Sequence, residues 1–159
     1  MVMKRLEEIG EIFSGVQVSR FHGKNSNSKV IKNKFRSGEI LDYSIESISK
    51  DMNQKYYSKK GDIIISLSQP NSVSLLHKKD YIIPMYFAII RLNEEYNPYF
   101  IYHLLNSTMF HDKLYKLLEG GSLRVIKVSD LKKIKINIPN KEKQEKYGEL
   151  LNLIDKKIK

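Results

Sequence analysis

The C-terminal part of this chain constrains its fold more than any other stretch. Ile134, Ile136 and Ile138 alternate with polar residues, which is the period of a half-buried strand. Pro139 ends that strand because proline has no amide hydrogen to donate, and Asn140 then predicts a helix cap. The apolar residues of the final helix recur at steps of four, three and four, namely Tyr147, Leu151, Ile154 and Ile158. This coiled-coil spacing predicts contact with a partner, although the alternative is a helix that folds back on its own domain.

A basic loop with two glycines precedes this strand. Gly120 and Gly121 predict a tight turn, because glycine adopts positive φ at little cost. Ser129 and Asp130 predict the start of a short helix after the loop. We interpret the loop as a contact with an acidic partner, made by Ser122, Arg124 and Lys127.

The composition also favours an anionic partner. The 159 residues include 28 Lys and Arg against 18 Asp and Glu, a formal net charge of +10. This balance favours nucleic acid or another anionic surface, and a merely basic soluble protein is the alternative. With 41% hydrophobic residues, the chain is apolar enough for one domain with a helical appendage. We divide it into a domain over residues 1–139 and a helix over residues 140–159.

Several functional classes find no support in the sequence. The absence of cysteine excludes disulfides, thiolate metal sites and cysteine nucleophiles. The histidines lie in separate segments without a metal-ligand spacing. No apolar run approaches the roughly 20 residues of a membrane span, and the N-terminus lacks the apolar core of a signal peptide. We therefore expect a cytoplasmic binding module without catalytic residues, cofactor or membrane contact.

An acid-free segment covers residues 16–38. Its lysines and arginines predict a mobile loop that lies along phosphates, and the alternative is a solvated surface loop. The stretch Lys55-Tyr56-Tyr57 interleaves aromatic rings with lysine and predicts either stacking contacts or strand residues. The predicted phosphate contacts in and after these stretches are Arg20, Lys24, Lys29, Lys32, Lys34, Arg36, Lys59 and Lys60.

Hydrophobic period predicts two further elements in the first half of the chain. Leu6, Ile9 and Phe13 have helical spacing, which predicts a short helix over residues 4–13. The β-branched run at residues 63–65 is typical of a buried strand.

The second half of the chain contains stronger helix signals. Residues 72–76 and 81–92 predict a hairpin. Asn97 and Pro98 predict a helix start, and a second helix follows over residues 109–118. Strands first, then two helices, one more strand and a terminal helix indicate an α+β fold rather than a βαβ alternation.

Four pieces of the sequence match the motifs of one family. Residues 6–15 are similar to its lead-in to the first loop, and residues 60–66, KGDIIIS, to its Lys-Gly-Asp-hydrophobic strand. Residues 101–107 are similar to its helix that ends in Leu-x-Ser, and residues 121–158 to its junction between recognition domain and helix. Together they resemble one target-recognition half of the specificity subunit of type I restriction-modification systems. Gln69-Pro70-Asn71 is a departure, because the family often has glycines there.

This resemblance implies a target-recognition domain with a mixed or antiparallel sheet, packed helices and a C-terminal helix of coiled-coil type. It implies a non-catalytic subunit that reads half of a split double-stranded DNA target. The implied partners are a methyltransferase subunit and, through it, a restriction subunit, which would carry S-adenosylmethionine, ATP and Mg²⁺. A single recognition domain implies a half-subunit that pairs with a copy of itself through the final helix, or one whose second half is encoded separately. The alternative is a regulatory remnant that binds the methyltransferase without reading DNA.

Within that family, we expect loop side chains to read bases in the major groove. Arg124 is the first candidate, because arginine pairs with both guanine acceptors. Its expected companions are Arg20, Gln69 and Asn71, since Asn and Gln pair with adenine. Lysines would hold the phosphates, namely Lys24, Lys29, Lys32, Lys34, Lys59, Lys60 and Lys127.

Overall fold

The structure is a computed structural model that describes residues 1–32, 35–36, 39–40, 42–118 and 125–158. Its strands are β1 (Val2–Arg5), β2 (Gly10–Ser14), β3 (His22–Ile31), β4 (Phe35–Arg36), β5 (Glu39–Ile40), β6 (Tyr43–Ile48), β7 (Ile63–Ser66), β8 (Val73–Leu75), β9 (Tyr81–Ile82), β10 (Phe87–Leu92) and β11 (Lys135–Ile138). Its helices are α1 (Leu6–Ile9), α2 (Pro98–Leu105), α3 (Thr108–Leu118), α4 (Val128–Leu131) and α5 (Lys141–Ile158), with 3₁₀ turns at Val18–Phe21 and Gln54–Tyr56. Mixed sheets, packed helices and a C-terminal helix confirm the predicted α+β class.

A four-stranded antiparallel sheet in the order β2-β10-β7-β8 forms the centre of the fold. Ile63 and Ile65 of β7 pack on one face in a cluster with Ile101 of α2. Ile64 points to the opposite face and packs in a cluster with Ile31 of β3. Successive side chains of a strand point to opposite faces, so the isoleucine run is buried on both sides of the sheet.

A second sheet in the order β6-β3-β9 lies on that opposite face. β3 is antiparallel to β6 and parallel to β9, so this sheet is mixed. The prediction of a mobile loop over residues 16–38 is therefore wrong for β3. Val30 and Ile31 are at most 4% exposed, and their burial together with two partner strands orders the backbone.

Strand β11 pairs antiparallel with β1 and leads directly into α5. Ile136 and Ile138 are buried and Lys135 is exposed, which confirms the predicted alternation. Asn140 Oδ1 accepts a hydrogen bond from the Lys143 amide at 2.9 Å, which confirms the predicted helix cap.

The helix start at Asn97 is confirmed in the same way. Asn97 Oδ1 accepts a hydrogen bond from the Phe100 amide at 3.0 Å, and Pro98 occupies the first turn of α2. Phe110 and Leu114 of α3 are buried against the same core. The two helices therefore cover one face of the central sheet, as their apolar faces predict.

The predicted helix over residues 4–13 is wrong beyond a single turn. Leu6 and Ile9 are buried in α1, but Phe13 lies on β2 opposite Ile89 of β10. The ladder with β10 satisfies the backbone of β2, and this long-range pairing overrides the helical spacing.

The predicted hairpin of residues 72–76 and 81–92 is also wrong. β8 pairs with β7 instead, with Val73 opposite Ile65. β10 pairs with β7 and β2, whereas β9 joins the other sheet. The hairpin in the structure is instead formed by β7 and β8. The short loop between them contains Pro70, a residue that favours turns.

Two local predictions differ from the structure at turns. Ser129 and Asp130 lie inside α4, and Lys127 occupies the cap position without a side-chain hydrogen bond. Tyr56 lies in a 3₁₀ turn and not in a strand. Tyr56 and Tyr57 pack against the cluster formed by Val16, Val30, Ile48, Met52 and Ile82. This packing explains why aromatic residues occur at these two positions.

Candidate nucleic-acid interface

Backbone hydrogen bonds bring four connecting segments together where the strands β2 and β7 end and β10 begins. The Val16 amide donates to Ile83 O at 3.0 Å, and the Leu67 amide donates to Tyr86 O at 3.0 Å. The Ile126 amide then donates to Leu67 O at 2.8 Å. We call this surface the loop end, and it consists of residues 15–20, 67–71, 84–86 and 125–127.

The loop end holds three of the predicted DNA contacts on its surface. Arg20 is exposed in the 3₁₀ turn, Gln69 is half-buried in the loop after β7, and Lys127 is exposed beside it. Neither Arg20 nor Lys127 lies within 4.0 Å of a carboxylate among the residues that the structure describes. Ser122 and Arg124 lie outside the described residues, and Arg124 directly precedes Val125 in the sequence.

Asn71 differs from the other predicted DNA contacts that the structure describes because its side chain is buried. Its side chain is 5% exposed and its Nδ2 donates to Ser66 O at 3.0 Å. Its amide donates to Ser68 O at 2.9 Å, and its φ is +58°, a conformation that asparagine tolerates. Asn71 therefore holds the loop in shape, and its role in reading adenine stays a prediction.

Lys59 and Lys60 are predicted phosphate contacts that lie at the opposite end of the central sheet from the loop end. They precede β7, whereas Gln69 follows it, and a strand of four residues spans roughly 13 Å. Both lysines are exposed beside Gly61, which has a φ of +94°. A DNA strand that contacts the loop end would therefore reach these two lysines only through a second contact surface.

The Lys-Gly-Asp motif has a structural explanation. Asp62 is 2% exposed and accepts hydrogen bonds from Arg91 Nε at 3.0 Å and Arg91 Nη2 at 2.8 Å. It also accepts one from the Lys59 amide at 2.8 Å, and Arg91 Nη2 donates to Tyr57 O at 3.1 Å. The motif therefore fixes the turn before β7 by a buried ion pair.

The lysines of β3 occupy different environments. Lys29 Nζ lies 5.1 Å from the ring centre of Tyr43 and 5.4 Å from that of Tyr81, so cation–π contacts hold it on the outer face of the second sheet. Lys24 is exposed at an irregularity in the pairing with β6. Lys34 lies outside the described residues, as does the side chain of Arg36.

A cleft of about 370 Å³ lies beside the loop end. Its lining includes Gln17, Lys32, Glu46, Met85 and Tyr86. Lys32 therefore lies near the loop end, in contrast to Lys59 and Lys60.

One carboxylate in this cleft is held by hydrogen bonds. The Ser44 hydroxyl donates to Glu46 Oε2 at 2.7 Å, and His22 Nε2 lies 2.7 Å from Glu46 Oε1. These contacts, Ser44 first and His22 second, hold the pKa of Glu46 below its ordinary value of 4.5. Burial, with a smaller effect of the Glu46 charge, raises the pKa of Tyr86 above its ordinary value of 10.0.

Sequence reasoning missed three exposed apolar residues at the loop end. Met85 is 53% exposed, Tyr86 44% and Val125 52%. Met85 and Tyr86 follow Pro84 inside an apolar run that predicts a buried strand, and Pro84 was the only local signal for a turn there. The structure places them in the turn between β9 and β10.

The C-terminal helix divides into a packed face and an exposed stripe. Gln144 and Gly148 are buried against α2, and Leu151 is half-buried. Tyr147 is 49% exposed although its ring stacks on Phe100. Of the other predicted interface residues, Ile154 is 45% exposed, and Ile158 lies in α5 with a side chain outside the description. Leu150 and Leu153 extend the exposed stripe at 56% and 55%.

Two further kinds of functional feature, a metal site and a membrane-spanning helix, can be assessed in the described residues. No group of three histidine, cysteine, aspartate or glutamate side chains there is placed to hold a metal ion. In the same part of the chain, no helix has the length and apolar character needed to cross a membrane.

Comparisons with known proteins agree on one family. The family model of the type I restriction modification DNA specificity domain matches residues 1–159. The specificity subunit of the type I restriction enzyme MjaVIII from Methanocaldococcus jannaschii is 28% identical over 166 residues, which cover 97% of this chain and 39% of that protein.

Solved structures of similar proteins share the fold. The HsdS subunit from Thermoanaerobacter tengcongensis superposes with a TM-score of 0.74 at 18% identity, over 99% of this chain and 42% of that chain. The S subunit of a type I restriction-modification system from M. genitalium superposes with a TM-score of 0.63 at 17% identity, over 98% of this chain and 39% of that chain. The chain thus spans about two fifths of the length of these relatives.

Proposed function

Because this chain belongs to the type I restriction modification DNA specificity domain family, we propose that it recognises one half of a split double-stranded DNA target and catalyses no reaction itself. The observation that carries this proposal is the loop end. Gln69 and Lys127 come from distant parts of the sequence, and the hydrogen bond from the Ile126 amide to Leu67 O brings their segments together. Arg20 is exposed in the turn that follows Val16, whose amide donates to Ile83 O. Side chains on loops that a rigid sheet positions are suited to recognition.

Two of these side chains would contact bases and the third would contact a phosphate. Arg20 and Gln69 offer the donor and acceptor groups that pair with guanine and adenine edges in the major groove. Lys127 offers a charge for a phosphate, which fixes the register of the protein on the duplex. Arg124 would extend this set, because it directly precedes Val125 of the loop end.

The proposal includes partners that supply the chemistry. A methyltransferase subunit, and through it a restriction subunit, would act at the DNA site in the cytoplasm. S-adenosylmethionine, ATP and Mg²⁺ would belong to those subunits. The exposed stripe of α5 supports a partner contact, since Tyr147, Leu150 and Ile154 are each at least 45% exposed. That partner would be the methyltransferase subunit or a second copy of this chain.

Selection from a duplex library tests the proposal directly. The purified chain is incubated at low ionic strength with duplexes of randomised sequence, alone and with the methyltransferase subunit. We expect enrichment of one short motif, and a chain that enriches none under either condition would contradict specific reading. Capture of the methyltransferase without any motif would instead support the alternative of a regulatory remnant.

A further inference from the structure

The loop end contains an exposed apolar group at its middle. Met85, Tyr86 and Val125 are 53%, 44% and 52% exposed, and we call them the apolar centre. They lie on neighbouring segments, because the Leu67 amide bonds to Tyr86 O and Ser68 forms a bridge with Val125.

The turn that presents Met85 is held in place on both sides. The Phe87 amide donates to Pro84 O at 3.2 Å, which closes the turn, and the Tyr86 hydroxyl donates to Ile31 O at 3.5 Å. The Val16 amide donates to Ile83 O at 3.0 Å just before the turn. An exposed methionine on a fixed turn presents apolar surface without the ordering cost that a mobile loop would add on binding.

The surroundings of the apolar centre indicate which partner it contacts. The segments 15–20, 67–71, 84–86 and 125–127 contain no acidic residue, and Lys127 is exposed two residues after Val125. Lys32 lines the cleft that Met85 and Tyr86 share, and the Glu46 carboxylate in that cleft is already engaged by Ser44 and His22. A protein surface with an apolar core and a cationic margin is suited to a polyanion that also carries apolar groups. Duplex DNA has both, because thymine presents a methyl group in the major groove between the phosphate rows.

We propose that Met85 is a specificity-determining residue whose side chain contacts a thymine methyl group, with Tyr86 and Val125 forming the apolar surface around it. This inference rests on the proposed function, since it assigns a base contact within the same DNA-reading surface. Apolar contact with the thymine methyl group is one of the ways in which side chains distinguish a T·A pair in the major groove.

Two variants and a modified base test this contact. The wild type, Met85→Ala and Met85→Leu are each selected on the randomised duplex library. We expect Met85→Ala to lose preference for one A·T pair, with roughly tenfold weaker binding to the wild-type motif, the scale of one base contact. Met85→Leu keeps an apolar side chain and should keep that preference.

Deoxyuridine then identifies the methyl group. Each thymine of the selected duplex is replaced in turn by deoxyuridine, which lacks the 5-methyl group. Wild-type affinity should fall at one position, and Met85→Ala should show no further loss there. Met109→Ala, at a methionine that is 66% exposed on α3, is the matched control and should bind as wild type does.

The outcomes separate this inference from the proposed function. A wild-type chain without any preferred motif overturns the proposed function. A selective wild type with an unchanged motif and affinity in Met85→Ala overturns the inference alone. Weaker capture of the methyltransferase subunit by Met85→Ala, with unchanged DNA selection, would assign the apolar centre to a protein contact and also overturn the inference.

Discussion

Asp62 is a single side chain on which one turn of the fold depends. It is 2% exposed and accepts hydrogen bonds from the Arg91 guanidinium and from the Lys59 amide. Removal of one partner leaves the other charge buried without compensation, which costs about 3–5 kcal/mol. We expect Asp62→Ala to lower the free energy of unfolding by that amount in urea denaturation. Asp51→Ala, at an exposed turn, is the control, and a loss as small as the control's would contradict the role of Asp62.

Glu46 gives the fold a defined pH response. Hydrogen bonds from Ser44 and His22 depress its pKa below 4.5, so Glu46 contributes stability above pH 4.5. That contribution is lost as the pH falls through the lower, folded-state pKa. We expect the urea midpoint of the wild type to fall more than that of Glu46→Gln as the pH is lowered below 4.5.

The cause of this shift has its own measurement. Ser44→Ala removes the largest contribution, so an NMR titration of the variant should give a higher Glu46 pKa than in the wild type. Equal values in the two proteins would leave Ser44 without the assigned role.

At the scale of elements, Asn97 at the start of α2 forms hydrogen bonds to α5. The Asn97 side chain caps α2, its backbone amide donates to Gln144 Oε1 at 3.2 Å, and its Nδ2 donates to Glu145 Oε2 at 3.1 Å. Gly148 lies so close that a Cβ there would be 2.6 Å from Asn97 Cγ. The glycine therefore permits the close approach of the two helices.

Gly148→Ala separates helix propensity from packing. In an exposed helix this change stabilises by about 1 kcal/mol. Here the added methyl group displaces the Asn97 cap, so we expect a loss of roughly 1–3 kcal/mol in urea denaturation. Glu149→Ala on the same helix is the exposed control. A stabilised Gly148→Ala protein would show that the helices separate without cost.

The exposed stripe of α5 tests the partner contact. Leu151 is half-buried, so its replacement would also disturb the domain, whereas Leu150 and Ile154 are 56% and 45% exposed. We expect Leu150→Asp with Ile154→Asp to abolish self-association in analytical ultracentrifugation or capture of the methyltransferase subunit. Lys156→Asp, on the opposite side of the helix, should assemble normally. Normal assembly of the double variant would restrict α5 to a role within its own domain.

At the scale of the whole molecule, the cations divide between two ends of the central sheet. Arg20 and Lys127 lie at the loop end, and Lys60 lies before β7 at the other end. Each phosphate contact contributes about 0.9 to the slope of log affinity against log salt. We expect Lys127→Ala to reduce that slope by about 0.9 in fluorescence anisotropy titrations with the selected duplex. Lys60→Ala is the matched control and should leave the slope unchanged; equal effects would place DNA across both ends.

The sequence by itself determined the elements whose signals act over a few residues. The isoleucine run of β7, the alternation of β11 and the caps at Asn97 and Asn140 follow from side-chain period and capping chemistry. The α+β class follows from the order of these elements, and the family resemblance from their motifs.

Only the tertiary structure decided which residues share a surface. Strand pairing joins β8 to β7, places Lys60 away from Gln69 and orders β3 as a strand. A hydrogen bond to Ser66 O holds the Asn71 side chain within its loop, and the turn after β9 exposes Met85. These outcomes depend on contacts between residues distant in sequence, and such tertiary contacts override the local preferences of the chain.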